Sequence, residues 1–144
     1  MNGIKWLSLR FSFFLLLLLL AAPACKDDFK SSIPYVDVSL SINLVNNNGL
    51  YIPANPQFFR GGYGGIIVIY TGYSYYAYDA ACPYDVEVNY DCRFKESGDI
   101  VVVCPCCGTN YNLMEGGYAS DGPSAEPLKQ YRVIISNNRL HITN

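Results

Sequence analysis

Five cysteines between residues 82 and 107 carry the clearest potential for chemistry in this chain of 144 residues. Cys104 and Cys107 have the spacing of one knuckle of a zinc ribbon, in which four thiolates hold the ion tetrahedrally. A ribbon needs a second such pair, and nine residues separate Cys82 from Cys92. The spacing therefore indicates thiol chemistry, either metal binding or disulfides, with only half of a zinc-ribbon pattern present.

Composition excludes several other kinds of function. The single histidine, His141, falls in a terminal strand, so no nucleophile–base pair is indicated and we expect no catalysis by this chain alone. All 12 acidic residues but only eight of the 10 basic ones follow residue 24, which leaves that part with a net charge of −4. Such an acidic chain without a basic patch is a poor partner for nucleic acid.

Strands are expected to position the cysteines, since the 13 tyrosines lie among many valines and isoleucines. Val36–Leu44 alternates apolar and polar residues, as a strand with one buried face does. Ile66–Tyr70 is a continuous apolar run, which predicts a strand buried on both faces. The glycine stretch at residues 61–65 precedes a strand rather than a helix, so a phosphate-binding loop is disfavoured. Further strands are predicted at Tyr75–Ala80, Ile100–Val103, Tyr131–Ser136 and Arg139–Thr143.

The order of motifs from roughly residue 60 to residue 143 resembles that of Rieske iron–sulfur domains. Cys82-Pro83-Tyr84 stands where that family has Cys-x-His, and Cys104-Pro105-Cys106-Cys107-Gly108 stands where it has Cys-x-x-His-Gly. Downstream come a glycine-rich turn, a Gly-Pro element, a Pro-Leu pair and a strand containing tyrosine, as in the family. The resemblance implies an all-β fold of antiparallel sheets, in which two cysteine-bearing loops of the type that binds the cluster lie together.

The resemblance also locates the ligand positions, and two of them are altered. Rieske centres hold one iron with two cysteines and the other with two histidines. Cys82 and Cys104 match the two cysteines, whereas Tyr84 and Cys107 replace the histidines. A cluster with two cysteine and two histidine ligands is excluded, because the chain has one histidine. If a [2Fe-2S] cluster is held, Tyr84 or Cys92 is the candidate fourth ligand.

Three hypotheses follow from the altered ligands. The leading one is a cofactor-free binding or structural module, in which Cys82 and Cys104 bridge each other. The second is an electron carrier of low potential with a [2Fe-2S] cluster, acting with a redox partner protein. The third is a module stabilised by zinc. In some Rieske proteins a second-loop cysteine is disulfide-bonded to the first loop, and by that resemblance Cys106 and Cys92 are disulfide candidates.

The start of the chain resembles the signal of bacterial lipoproteins. Lys5 and Arg10 precede an apolar core of 12 residues, Phe11–Ala22, and small residues lead to Cys25. We therefore expect a signal peptide at 1–24, a lipidated Cys25 with a tether to residue 33, and the Rieske-like domain at 34–144. Acylation of Cys25 would attach the protein to a lipid bilayer of the cell envelope outside the cytoplasm, and we expect the outer membrane.

Overall fold

The computed structural model describes residues 31–84, 86 and 92–144. In these residues a six-stranded sheet has the order β1-β9-β8-β4-β3-β2, and a three-stranded sheet has the order β5-β6-β7. All the pairings between neighbouring strands are antiparallel. The all-β class expected from the sequence is therefore confirmed. The strands are β1 Ser39–Asn43, β2 Gln57–Phe59, β3 Ile66–Tyr70, β4 Tyr75–Asp79, β5 Val101–Val103, β6 Asn110–Asn112, β7 Tyr118–Asp121, β8 Gln130–Ser136 and β9 Arg139–Thr143.

Strand β3 is shared by two hydrophobic clusters. Ile67 and Ile69 belong to one cluster, which contains Cys82 and Cys104. Ile66 and Val68 belong to the other, which contains residues of β1, β8 and β9. Successive side chains of a strand point to opposite faces, so a strand covered on both sides must be apolar at every position. This explains the continuous apolar run that the sequence shows.

Three of the strands were not expected, and three were expected to be longer: β4 and β5 by one residue each, and β1 by more. β2, β6 and β7 have three or four residues each and no continuous apolar run. The predicted strand Val36–Leu44 is hydrogen-bonded as a strand only over Ser39–Asn43, and Leu44–Asn46 forms a 3₁₀ turn. The buried positions Val38, Ile42 and Leu44 nonetheless keep the expected alternation.

The first described residues pack against the domain near the first cysteine loop. The side chain of Glu126 accepts hydrogen bonds from the hydroxyls of Ser31 and Ser32. Ile33 is buried and packs with Ala81 and Val86. Residues 31–33, which the sequence assigns to a tether, thus contact the domain.

A search of the described residues for membrane-spanning helices found none of sufficient length and apolar character.

Candidate metal centre

Two loops present the cysteines. The first loop follows β4 and includes Cys82, whose backbone N–H donates to the carbonyl oxygen of Cys92 at 3.1 Å. The second loop joins β5 to β6. There the N–H of Cys104 donates to the carbonyl of Thr109 at 2.9 Å, and the N–H of Gly108 donates to the carbonyl of Cys104 at 3.0 Å. Gly108 has a φ of +74°, a conformation in which glycine avoids the strain of a side chain. These bonds close the second loop into a tight turn.

The two loops bring three thiols together. The sulfur atoms of Cys82, Cys104 and Cys107 all lie within 4.8 Å of one another. The Sγ atoms of Cys82 and Cys107 are 3.7 Å apart. None of the three is in a disulfide, and Cys82 and Cys104 are buried, whereas Cys107 is half-buried. The structure thus assembles three of the four residues at the expected ligand positions.

Polar hydrogens surround these sulfur atoms. The backbone N–H groups of Cys106 and Cys107 donate to the Cys104 sulfur, and that of Tyr84 donates to the Cys82 sulfur. The Tyr111 hydroxyl lies 3.6 Å from the Cys82 sulfur. Hydrogen bonds to the charged form of a group stabilise that form, so this environment favours thiolates. It is therefore suited to sulfur that binds a cation.

Burial acts in the opposite direction on the metal-free thiols. It raises the pKa of the Cys104 thiol to about 12, in spite of the N–H groups that lower it. Burial also raises the pKa of the Cys82 thiol. Without a cation both of these buried thiols are therefore neutral at physiological pH. A bound metal ion reverses this balance, since a coordinating thiol loses its proton.

The other sequence-predicted residues are placed differently. Cys92 and Cys106 form a disulfide that joins the two loops, with Cα atoms 5.7 Å apart. In this state the sulfur of Cys92 supplies no thiolate and is not a fourth ligand. The Tyr84 side chain is 54% exposed and faces solvent, although its backbone contacts the site. His141 lies in β9, paired with Ser41 of β1. Cys25 lies outside the described residues.

Sequence reasoning missed two buried polar residues beside this centre and a buried Asp79–Tyr131 pair just before the first loop. Thr109 and Tyr111 are fully buried, and the Thr109 hydroxyl lies 3.1 Å from the Cys107 sulfur. Asp79 is also fully buried and precedes Cys82 by three residues. It accepts a hydrogen bond from the hydroxyl of Tyr131 at 2.6 Å. The signal in the sequence was the position of Asp79 at the end of a predicted strand. An acidic residue that is buried there requires hydrogen-bonding partners.

Several solved structures are similar to this chain at low sequence identity. The plasma-membrane Rieske protein of the cyanobacterium Synechocystis PCC 6803 is 18% identical, with 76% of this chain and 100% of that chain covered and a TM-score of 0.49. The ferredoxin of carbazole 1,9a-dioxygenase from Nocardioides aromaticivorans is 17% identical, with 76% of this chain and 98% of that chain covered and a TM-score of 0.47. A ferredoxin of Sphingomonas yanoikuyae is 18% identical, with 65% of this chain and 88% of that chain covered and a TM-score of 0.43.

No protein-family model matches the sequence, and the search of curated proteins found no similar protein. The likeness to solved structures concerns the fold. The ligands of this site must be judged from its own residues.

Proposed function

We propose that this chain is a lipid-anchored protein of the bacterial cell envelope whose Rieske-like domain binds one thiophilic metal ion. Cys82, Cys104 and Cys107 supply the ligands, and Zn²⁺ is the ion that we expect. The observation that carries this proposal is that three thiols, none of them in a disulfide, lie within 4.8 Å of one another. The proposal favours the zinc hypothesis over the cofactor-free module that the sequence places first.

The spacing of the sulfur atoms supports a single ion. Tetrahedral zinc–sulfur bonds of about 2.3 Å place two thiolates roughly 3.8 Å apart. The Cys82 and Cys107 sulfur atoms are already 3.7 Å apart. Little movement is therefore needed for both to bind the same ion. The N–H groups directed at the Cys82 and Cys104 sulfur atoms would stabilise the thiolates once the ion displaces their protons.

The described residues do not fit the two-iron cluster of Rieske proteins. That cluster needs two ligands on each iron, with imidazoles on one of them. Here His141 lies in the β8–β9 hairpin, and the three thiols gather around one centre. Tyr84 would have to serve as a phenolate, and its side chain is exposed. We therefore derive no electron-transfer step through such a cluster.

A membrane anchor would restrict where this site operates. Cleavage after residue 24 and acylation of Cys25 would leave residues 26–30 between the lipid and the first described residue. Stable anchoring requires more than one acyl chain, as lipoprotein signals provide. We expect a domain held at the envelope, without catalysis of its own, that acts with a partner protein. A redox protein, which the Rieske resemblance of the sequence suggests as a partner, is expected only if the site holds an iron–sulfur cluster instead.

The test is elemental analysis of the full chain, expressed without oxygen and purified in detergent. Zinc, iron, labile sulfide and free thiols are counted on one sample, and Cys107→Ser is compared with His141→Gln. About one zinc per chain in the wild type and in His141→Gln, with loss of zinc in Cys107→Ser, is the expected result. Iron with equimolar sulfide would establish the electron carrier instead. A metal-free protein with a Cys82–Cys104 disulfide would establish the cofactor-free module.

The anchor is tested separately. Mass spectrometry of the N-terminal peptide should show acyl chains on Cys25, and Cys25→Ser should leave the membrane fraction. An unmodified Cys25 in a soluble wild-type protein would refute the proposed location but would leave the metal proposal standing.

A further inference from the structure

A buried carboxylate binds the glycine turn that precedes β3. Asp79, at the end of β4, is 0% exposed. One of its oxygens accepts the backbone N–H of Tyr63 at 2.7 Å, and the other accepts that of Gly64 at 2.8 Å. The hydroxyl of Tyr131 donates at 2.6 Å to the same oxygen as Tyr63. The N–H of Ala81 donates at 2.9 Å to the other oxygen. Consecutive N–H groups in a turn form an anion-binding concavity, and here the anion comes from the chain itself.

Two glycines allow this close approach. A Cβ on Gly62 would lie 2.5 Å from the Tyr131 hydroxyl and 2.6 Å from an Asp79 carboxylate oxygen. A Cβ on Gly64 would lie 2.4 Å from the backbone nitrogen of Ala81. Any side chain at either position would push the turn away from the carboxylate. The glycine stretch is thus shaped to receive Asp79 rather than an external phosphate.

The same contacts fix the backbone from which Cys82 projects. The N–H of Ala80 donates to the carbonyl of Gly65 at 2.9 Å, and the N–H of Ala81 binds Asp79. Together with the bond from the Cys82 N–H to Cys92, these contacts hold the three residues that follow Asp79. Cys82 therefore has little freedom to move away from Cys104 and Cys107.

We propose that Asp79 is a positioning residue for the metal centre: its bonds to the glycine turn and to Ala81 hold Cys82 within reach of the other two thiols. The metal role rests on the proposed function above. All four partners of the carboxylate are donors, so an amide cannot replace it. In Asp79→Asn the new NH₂ group would face N–H or O–H donors, and up to two of the four bonds would be lost.

The test compares four forms of the full chain in detergent: wild type, Asp79→Asn, Tyr131→Phe and Tyr75→Phe. Tyr131→Phe removes one bond to Asp79. Tyr75→Phe is the matched control, since it removes a tyrosine hydrogen bond at the opposite end of β4, to the Leu50 carbonyl at 2.9 Å. Zn²⁺ affinity is measured by competition with a chromophoric chelator. The melting temperature of each metal-free form is measured alongside it.

A second measurement reports on the position of Cys82 without any metal. Diamide removes two electrons and two protons from a pair of thiols, which become a disulfide while the diamide becomes a hydrazine. In the metal-free protein the rate of forming the Cys82–Cys107 disulfide, identified by peptide mapping, depends on how often their sulfur atoms meet. This rate tests the role of Asp79 even if the wild type binds no zinc. Absence of zinc binding in the wild type would refute only the proposed function.

We expect Asp79→Asn to weaken Zn²⁺ binding by at least about tenfold, the usual cost of losing a group that orients a ligand. We expect Tyr131→Phe to weaken it by roughly two- to fivefold, the worth of one hydrogen bond. The rate of disulfide formation should fall in the same order, and Tyr75→Phe should match the wild type in both measurements.

A lower melting temperature with unchanged affinity and unchanged rate would show that Asp79 only stabilises the fold, and would overturn the proposal. If Asp79→Asn does not fold, the comparison of Tyr131→Phe with Tyr75→Phe decides: equal affinities and rates in those two variants would refute it.

Discussion

The disulfide between Cys92 and Cys106 is expected to stabilise the metal-free domain strongly. It ties the first cysteine loop to the second, and its half-cystines are 14 residues apart in sequence. The perturbation is the double variant Cys92→Ala with Cys106→Ala. This variant keeps the three thiols of the candidate centre and removes the covalent link between their loops.

The expected magnitude comes from the entropy of the unfolded chain. Closing a loop of this length removes about 10 cal/mol/K, which is about 3 kcal/mol at 25 °C. At about 4 °C per kcal/mol for a domain of this size, the melting temperature should fall by roughly 12 °C. Cys92 is 2% exposed, so removal of its sulfur also loses packing and makes the fall larger.

The assay is thermal unfolding followed by near-ultraviolet circular dichroism, with a chelator present so that bound metal does not contribute. Cys92→Ser with Cys106→Ser checks that the effect comes from the missing bond and not from alanine. A fall of less than about 4 °C, which corresponds to about 1 kcal/mol, would refute the reasoning. It would mean that the hydrogen bonds of the two loops already restrict the chain without the disulfide.

Three further outcomes are expected. Burial and the hydrogen bond to a carboxylate raise the pKa of Tyr131 above its ordinary value near 10. The stabilising contribution of Tyr131 is thus complete below pH 10 and is lost as the pH rises toward the raised pKa. In urea titrations from pH 8 to 11, the free energy of unfolding of the wild type should therefore fall more steeply with pH than that of Tyr131→Phe. Gly64→Ala should lower the free energy of unfolding in urea by about 1–3 kcal/mol, because its Cβ would lie 2.4 Å from a backbone atom. In Gly49→Ala the Cβ would meet only the end of a glutamine side chain, so an equal loss in the two variants would contradict this expectation. Saturation with Zn²⁺ should protect Cys107, which is half-buried, from alkylation by iodoacetamide, as counted by mass spectrometry. Unchanged labelling of Cys107 would argue against its role as a ligand.

Much of the sheet architecture is predictable from local pattern. The run Ile66–Tyr70 coincides with β3, and the two last predicted strands agree with β8 and β9 to within one residue. Asn137 and Asn138, which join β8 to β9, both have positive φ, as the tightest two-residue hairpin turns require. Burial is continuous along β3 and alternates along β9, as the apolar residues of the two segments do, so the sequence contains this information directly.

The remaining elements and contacts depend on tertiary structure. β6 has the sequence Asn-Tyr-Asn, and only its pairing with β5 and β7 makes it a strand. The proximity of Cys82 and Cys107 could be predicted only from the resemblance of the sequence to Rieske domains, since no spacing rule brings together residues 25 positions apart. Asp79 was missed because three of its four partners are backbone N–H groups, which every residue carries, so an acidic residue at the end of a strand does not reveal what would bind it.

Strand β3 couples the stability of the cysteine-bearing cluster to that of the rest of the domain. Its side chains belong to both hydrophobic clusters, so loss of β3 from the sheet would disrupt the packing of both clusters at once. Amide hydrogens of β3 should therefore exchange with deuterium only through whole-domain unfolding. The metal centre should be lost in the same transition as the distant β1–β9 pairing, and the domain should behave as a single cooperative folding unit.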